Sequence, residues 1–440
     1  MLEIRLTEFD RLPRKRLTLR QLRELQRFDE LQGRSTGDTV FDWTFRDHIR
    51  VKSYVGVIQV PGLIIEILPK TDGGEDSTGF GDGGQARQNL LFMLSQAGYL
   101  PGHDRDLASL AGRRLPLLEV LITAFVRRLL IEVRRGQQHQ YVYREESLSC
   151  VKGRILLQRQ VLQNVAQRHR LWVGYDEFVN DTLLNQILKA TCRCLLALAR
   201  LPKTQQLLRE ALLEFADVED LVIQGDDFSR VLLDRASERY RDLLQFCRLV
   251  YEGTTVAPQA GAHSSFSLFF PMETLFEEFV GRFVKRNARY FGLLPEQVHL
   301  QARGRGLWLL RDENLQGRFR LRPDIVIDDV AGVPQIILDT KWKRLVDLKS
   351  DAKNGVSQAD LYQLFAYASR YNCENNVLLY PHSPGVVSRS YSIDGDPSKK
   401  RLRIECLDLG FDLYLERDRL LNNLAAILNP TSSSEPVVEG

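Results

Sequence analysis

The chain has 440 residues, enough for two or three domains, and 27% of them are charged, yet the formal net charge is only +3. The composition is that of a soluble globular protein, with no global basic field to announce a nucleic acid. No run is long and apolar enough to span a bilayer; 120–133 comes closest, and Arg127, Arg128 and Glu132 stripe it.

Residues 1–70 read mainly as strands with one short helix. Helical spacing runs from 18 to 31, with Thr18 and Gln21 placed for a capping box. Segments 45–51, 54–60 and 63–68 carry β-rich apolar runs, and Gly62 marks a turn between the last two. A basic segment at 12–20 holds Arg14, Lys15, Arg16 and Arg20. Residues 71–88 are rich in Gly, Asp and Ser and poor in apolar residues, which predicts a flexible loop. No signal peptide is expected, because charge interrupts 2–22 throughout.

From 89 to 260 the pattern is mostly helical. A long apolar-striped helix is predicted over 115–134, short strands at 140–143 and 153–157, and further helices at 180–200, 204–215 and 231–253. Asn180-Asp-Thr supplies an N-cap, and Pro202 is expected to end the helix that follows. The six cysteines show no paired C-x-x-C spacing, so free thiols in a cytoplasmic protein are expected and a zinc site is not. The character changes near 257–262, and a last domain is expected over 265–415. Later strands are predicted at 376–380 and 402–406, and a disordered tail at 431–440. The expected fold class is therefore α+β and multidomain.

The chemistry is written at 322–342. Two apolar runs, Ile325-Val-Ile and Ile336-Ile-Leu, flank a Gly- and Pro-containing turn at 331–334. Asp324 opens the first run, directly after Pro323. Asp339, Thr340 and Lys341 close the second. Side chains at i and i+2 of a strand share a face. Asp339 and Lys341 therefore project together, and in-register pairing brings Asp324 beside them. Carboxylates so close repel unless a cation lies between them. Mg²⁺ suits the role, with Mn²⁺ as its alternative, and the backbone carbonyl of Thr340 adds a further oxygen ligand. Such an ion makes a nucleophile of water at neutral pH and stabilises charge on an attacked phosphate. Lys341 can orient the water or neutralise the transition state. Arg303, Arg305, Arg311, Arg318, Arg320 and Arg322 precede the motif and can neutralise phosphate.

Pro323-Asp324 followed by Asp339-Thr340-Lys341 resembles the PD-(D/E)xK nuclease superfamily. The resemblance implies a C-terminal mixed sheet flanked by helices and acidic residues that hold Mg²⁺ at a scissile phosphate. It also implies an acid from a preceding helix. Glu277, in the amphipathic stretch 270–280, is the candidate, with Glu273 and Glu278 behind it. RecB-like members use a Gln and a Tyr near the metal. That spacing occurs twice here, as Gln358/Tyr362 and Gln363/Tyr367, and Gln363 with Tyr367 is favoured.

Further patterns narrow the likeness to the McrC family. They are Leu-Ile-Ile-Glu-Ile-Leu-Pro-Lys at 63–70, Val-Lys-Gly-Arg-Ile at 151–155, the Tyr-Asp-Glu-Phe-Val-Asn-Asp segment from 175, and Met-Glu-Thr-Leu-Phe-Glu-Glu-Phe-Val at 272–280. The resemblance implies the nuclease subunit of a modified-cytosine-dependent restriction system. Such a subunit docks through its N-terminal part, here 1–70, on a McrB-like AAA+ ring, stimulates GTP hydrolysis, and cuts double-stranded DNA whose modified cytosine the ring recognises. The chain itself has no G-x-x-x-x-G-K-[ST] phosphate loop, so a nucleotide-driven motor must come from a partner. The competing readings are a stand-alone RecB-like repair nuclease and a non-catalytic adaptor on a nuclease scaffold.

Overall fold

The computed structural model describes residues 2–70, 84–102, 104–112, 115–163, 169–255, 266–304, 306–343, 345, 355–383, 385–393 and 400–429. The chain is α+β and divides into two compact units. One joins 1–117 to 256–440, and the other is 118–255.

The discontinuous unit contains two larger sheets. The first orders Leu2–Thr7, Leu63–Leu68, Tyr54–Val60 and Phe266–Pro271. Its outer pair Leu2–Thr7 and Leu63–Leu68 is parallel, and the other pairings are antiparallel. Tyr54–Val60 and Leu63–Leu68 are buried along their whole length, which their nearly unbroken apolar runs require. The strand Phe266–Pro271 comes from beyond the middle region and seats against Gly56. That glycine has φ +135°, and a Cβ there would lie 1.9 Å from the Leu268 carbonyl oxygen. Gly56→Ala is therefore expected to destabilise the chain by about 1–3 kcal/mol through overpacking and backbone strain. A lowered urea midpoint at unchanged slope checks this.

The second sheet orders Val298–Leu300, Ile325–Asp328, Pro334–Thr340, Asn375–Pro381, Arg401–Leu407 and Arg389–Ser392. The predicted pair Ile325–Asp328 and Pro334–Thr340 is an antiparallel hairpin, with Ile325 opposite Leu338. Pro334–Thr340 then pairs parallel with Asn375–Pro381. The helix Gln358–Tyr371 lies between these two strands in sequence, as a parallel crossover needs. The helix Met272–Arg286 buries Leu275, Phe276, Phe279, Val280, Phe283 and Val284, two rows at i,i+4 spacing. Phe92 of the helix Gly84–Gln96 meets Phe279 and Phe283 with ring centroids 6.0 and 6.1 Å apart.

In the second unit an antiparallel sheet orders Gln140–Leu148, Leu171–Val179 and Arg154–Ile155. Its helices include Leu183–Leu198, Pro202–Glu214 and Arg241–Thr255. Thr182 caps the first of these by accepting from Asn185 N–H at 3.3 Å.

Several expectations are corrected. The β-rich 1–70 and the 265–415 region are not separate bodies, because a strand from each side joins one sheet. Of the expected loop 71–88, residues 84–88 are helical, while 71–83 lie outside the described residues. So does the expected tail at 431–440. Pro202 opens a helix at its first position, where its missing N–H costs nothing. Residues 231–237 are not helical; the turn there is held by Asp234 and Ser237. The stretch 270–280 starts as strand, and helix begins at Met272. The helix from Leu19 to Thr36 carries the predicted capping box, Thr18 with Gln21. Among the described residues no helix is long and apolar enough to cross a membrane.

Candidate active site

The hairpin brings Asp324 and Asp339 to the same end of the second sheet. Asp324 Oδ2 accepts from the backbone N–H of Thr340 at 2.6 Å and from its hydroxyl at 2.7 Å. Thr340 thus pins the first carboxylate against the strand that carries the second. Asp339 is 1% exposed, and its Oδ2 lies 2.6 Å from Lys341 Nζ. This is the shared face expected of an i,i+2 pair. Lys341 Nζ also donates to Gln363 Oε1 at 3.1 Å, and Gln363 Nε2 donates to the Tyr367 hydroxyl at 2.7 Å. Of the two Gln/Tyr registers, Gln363 and Tyr367 therefore reach the site. Gln358 pairs with Tyr362 on the exposed side of the same helix.

Glu277 completes the group from the helix Met272–Arg286. Its Oε1 accepts from Gln301 Nε2 at 3.1 Å. Glu278 turns instead to Arg282, at 2.6 Å, and Glu273 is exposed. Gln301 was not legible in the sequence. It holds a left-handed backbone, φ 51°, and donates its N–H to the Asp324 carbonyl at 2.7 Å. Asp360 was also missed, although its spacing to Gln363 and Tyr367 (i, i+3, i+7) is a single-face helix signal. It is buried, lies 3.1 Å from Lys343 Nζ, and accepts from the Tyr380 hydroxyl at 3.3 Å.

The electrostatics of the group follow from burial and like charge. Burial, then the charges of Asp339 and Glu277, push the Asp324 carboxyl up to about 8 against the pull of the Thr340 hydrogen bonds. Burial raises Asp339 too, with Lys341 opposing. Glu277 is raised by burial and by Glu278 and Asp339, against the Gln301 hydrogen bond. Burial works to lower Lys341, but the Asp339 carboxylate more than offsets it and the net direction is upward. Tyr367 is pushed up to about 12 by burial and by Asp339. One oxygen of each carboxylate is tied: Asp324 by Thr340, Asp339 by Lys341, Glu277 by Gln301.

That donor set fits a hard divalent cation with oxygen ligands. No three His, Cys, Asp or Glu side chains among the described residues close on one point. The exposed two-stranded ribbon Trp308–Arg311 and Gly317–Arg320, which precedes Asp324 in the chain, presents Arg311, Arg318 and Arg320, and Arg303 and Arg322 are also exposed. Arg318 is engaged by Asp312 at 2.8 Å, and Arg305 lies outside the described residues.

The profile of the family described as "McrBC 5-methylcytosine restriction system component" matches residues 49–381. The type IV methyl-directed restriction enzyme EcoKMcrBC of Escherichia coli K12 is 23% identical over 320 residues, covering 70% of this chain and 89% of that one. Among solved structures, a chain from the Thermococcus gammatolerans assembly of McrB AAA+ hexamers with bound McrC superposes with a TM-score of 0.66. It is 23% identical and covers 96% of this chain and 100% of its own. A chain of the T. gammatolerans McrBC complex gives a TM-score of 0.52 at 26% identity, over 65% of this chain and 88% of its own. With the family profile spanning well over half its length, the chain belongs to the McrBC restriction-system components and is McrC-like.

Proposed function

We propose that this chain is the metal-dependent endodeoxyribonuclease subunit of a modification-dependent restriction complex, built on a PD-(D/E)xK core. The observation that carries the proposal is the pair Asp324 and Asp339 with Lys341 at one sheet end, with Glu277 on the neighbouring helix close enough for its charge to raise Asp324. Asp324, Asp339, Glu277 and the Thr340 carbonyl would hold Mg²⁺. When bound, the ion supplies Lewis acidity and a nucleophile from water. Lys341, kept protonated by Asp339 and aimed by Gln363, neutralises charge that develops on the phosphate. Tyr367 fixes Gln363 and so keeps the ammonium in place. The exposed arginines of the ribbon offer backbone phosphate contacts.

The partner in this proposal is a McrB-like AAA+ GTPase ring, which reads the modified cytosine and whose GTP turnover this chain raises. The relatives described above include complexes of McrB hexamers with McrC. In the unit 118–255, Tyr141 and Phe178 are more than half exposed with ring centroids 4.9 Å apart, an apolar pair of the kind a protein partner covers.

The test separates ligands from the ammonium. Lys341→Ala is expected to lower cleavage by the partnered complex by about 10²-fold or more. Mg²⁺ or Mn²⁺ binding, read by calorimetry, should change little, because an ammonium is no ligand. Asp339→Ala should lose both. Equal loss of metal binding in the two variants would show that Lys341 builds the site and does not act on the phosphate. Cleavage by the wild-type complex that persists in EDTA would overturn the metal-dependent reading.

A further inference from the structure

The two elements that carry the acids are tied together from a distant part of the chain. Glu8, one residue past the strand Leu2–Thr7, is 1% exposed. Its Oε2 accepts from the Trp342 indole N–H at 2.9 Å and from the Ser53 hydroxyl at 3.2 Å. Its Oε1 accepts from the Lys70 backbone N–H at 3.1 Å. Trp342 directly follows Lys341. Ser53 also makes a second contact, in which its carbonyl accepts from the N–H of Met272 at 3.0 Å, the first residue of the helix that carries Glu277. The link closes on itself, because the Trp342 ring packs on Phe276, with centroids 5.2 Å apart, and Phe276 precedes Glu277.

A buried carboxylate is a poor source of stability, since its desolvation offsets most of what its donors return. Satisfied buried polar networks are better at specifying one geometry. This one sits where the strand bearing Asp339 leaves the sheet, just past Lys341, and where the helix bearing Glu277 begins. Both are fastened to the same few atoms of the N-terminal sheet.

We propose that Glu8 and Ser53 are positioning residues of the catalytic centre, clamping Trp342 and the start of the Glu277 helix so that Glu277, Asp339 and Lys341 keep their spacing. This rests on the nuclease reading above and adds to it that the N-terminal segment is part of the cleavage machinery. Errors of about 1 Å in such a constellation cost on the order of 10²-fold in rate.

The variants are Trp342→Phe, which keeps the ring on Phe276 and removes the N–H, and Glu8→Leu, which keeps the volume and removes every acceptor. Each is measured in the full-length chain assembled with its AAA+ partner. DNA cleavage kcat is expected to fall about 10- to 100-fold, as for groups that orient a metal site's ligands. The KM for DNA and the partner's GTP turnover should stay at wild-type values. The double variant should be no worse than the poorer single, since both remove one interaction. Hydrogen exchange should quicken at 339–343 and 272–280, and at the Lys70 N–H in the Glu8 variant, and stay at the wild-type rate within Leu2–Thr7, Tyr54–Val60 and Leu63–Leu68. Wild-type cleavage in both singles overturns the clamp, as does a fall in GTP turnover that matches the fall in cleavage. A wild-type complex that cuts nothing sinks the nuclease reading, and exchange then still decides whether Glu8 holds the two segments.

Discussion

Asp339→Ala is expected to abolish DNA cleavage by the partnered chain, a loss of at least about 10²–10³-fold, while the partner's GTP turnover stays at the wild-type level. The fold tolerates the change because Asp339 is a buried, desolvated carboxylate whose loss relieves repulsion from Asp360. Lys341 would keep Gln363 as an acceptor and Asp324 as a counter-charge. Nothing in the carboxylate group resembles a nucleotide site, and stimulation of a motor needs only contacts that favour its active conformation. The measurements are conversion of cytosine-methylated supercoiled DNA and GTP turnover with no addition, with wild type, and with the variant. Cutting at the wild-type rate would remove Asp339 from the site. A folded variant that gives no stimulation would mean that nuclease and activator functions share residues.

The second large effect is on stability, and its sign follows from Asp324. The carboxyl has an ordinary value of 3.8 in the unfolded chain and is pushed up to about 8 in the folded one. The folded state therefore binds the proton more tightly. Without a divalent ion, the stability this contributes is present in full below about pH 4 and is lost as pH rises through about 8. Wild type in EDTA should thus be less stable at pH 8.5 than at pH 5.5. Asp324→Asn keeps an acceptor for the Thr340 N–H and hydroxyl but carries no charge, so it should flatten that slope and be the more stable protein at pH 8.5. On the proposed metal site, Mg²⁺ should reverse the order, because it would bind the folded wild type; at 100 times its Kd it would add about 2.7 kcal/mol. Urea midpoints at both pH values, with EDTA and with Mg²⁺, decide this. An unchanged pH slope in Asp324→Asn would show that Asp324 is not the group that carries the excess charge.

Legibility in the sequence followed the range of each signal. The hairpin was readable because its strands are short apolar runs with a Gly- and Pro-containing turn between them. The i,i+2 rule alone placed Asp339 and Lys341 together, as the 2.6 Å contact shows. The Thr18–Gln21 capping box and the i,i+4 pair Gln363/Tyr367 are likewise encoded by neighbours in the chain. Periodicity failed where an isolated break outweighed it. Residues 231–237 carry helical spacing but turn on the Asp234–Ser237 hydrogen bonds, which offer the backbone an alternative to helix.

Partnerships between distant segments come from the folded chain alone. Phe266–Pro271 completes the N-terminal sheet, so 1–117 and 256–440 form one unit and the middle region interrupts it. Gln301 takes a left-handed backbone and holds Glu277, which separates Glu277 from Glu278 and Glu273. Glu8 meets the Trp342 indole across 334 residues of chain. In sequence, each of these polar residues is indistinguishable from a solvated one, because local propensity depends on near neighbours alone. Whether a carboxylate faces water or three buried donors depends on the path of the whole chain. The order of residues at 322–342 is enough to nominate Asp324, Asp339 and Lys341, while what holds them in place depends on the folded chain.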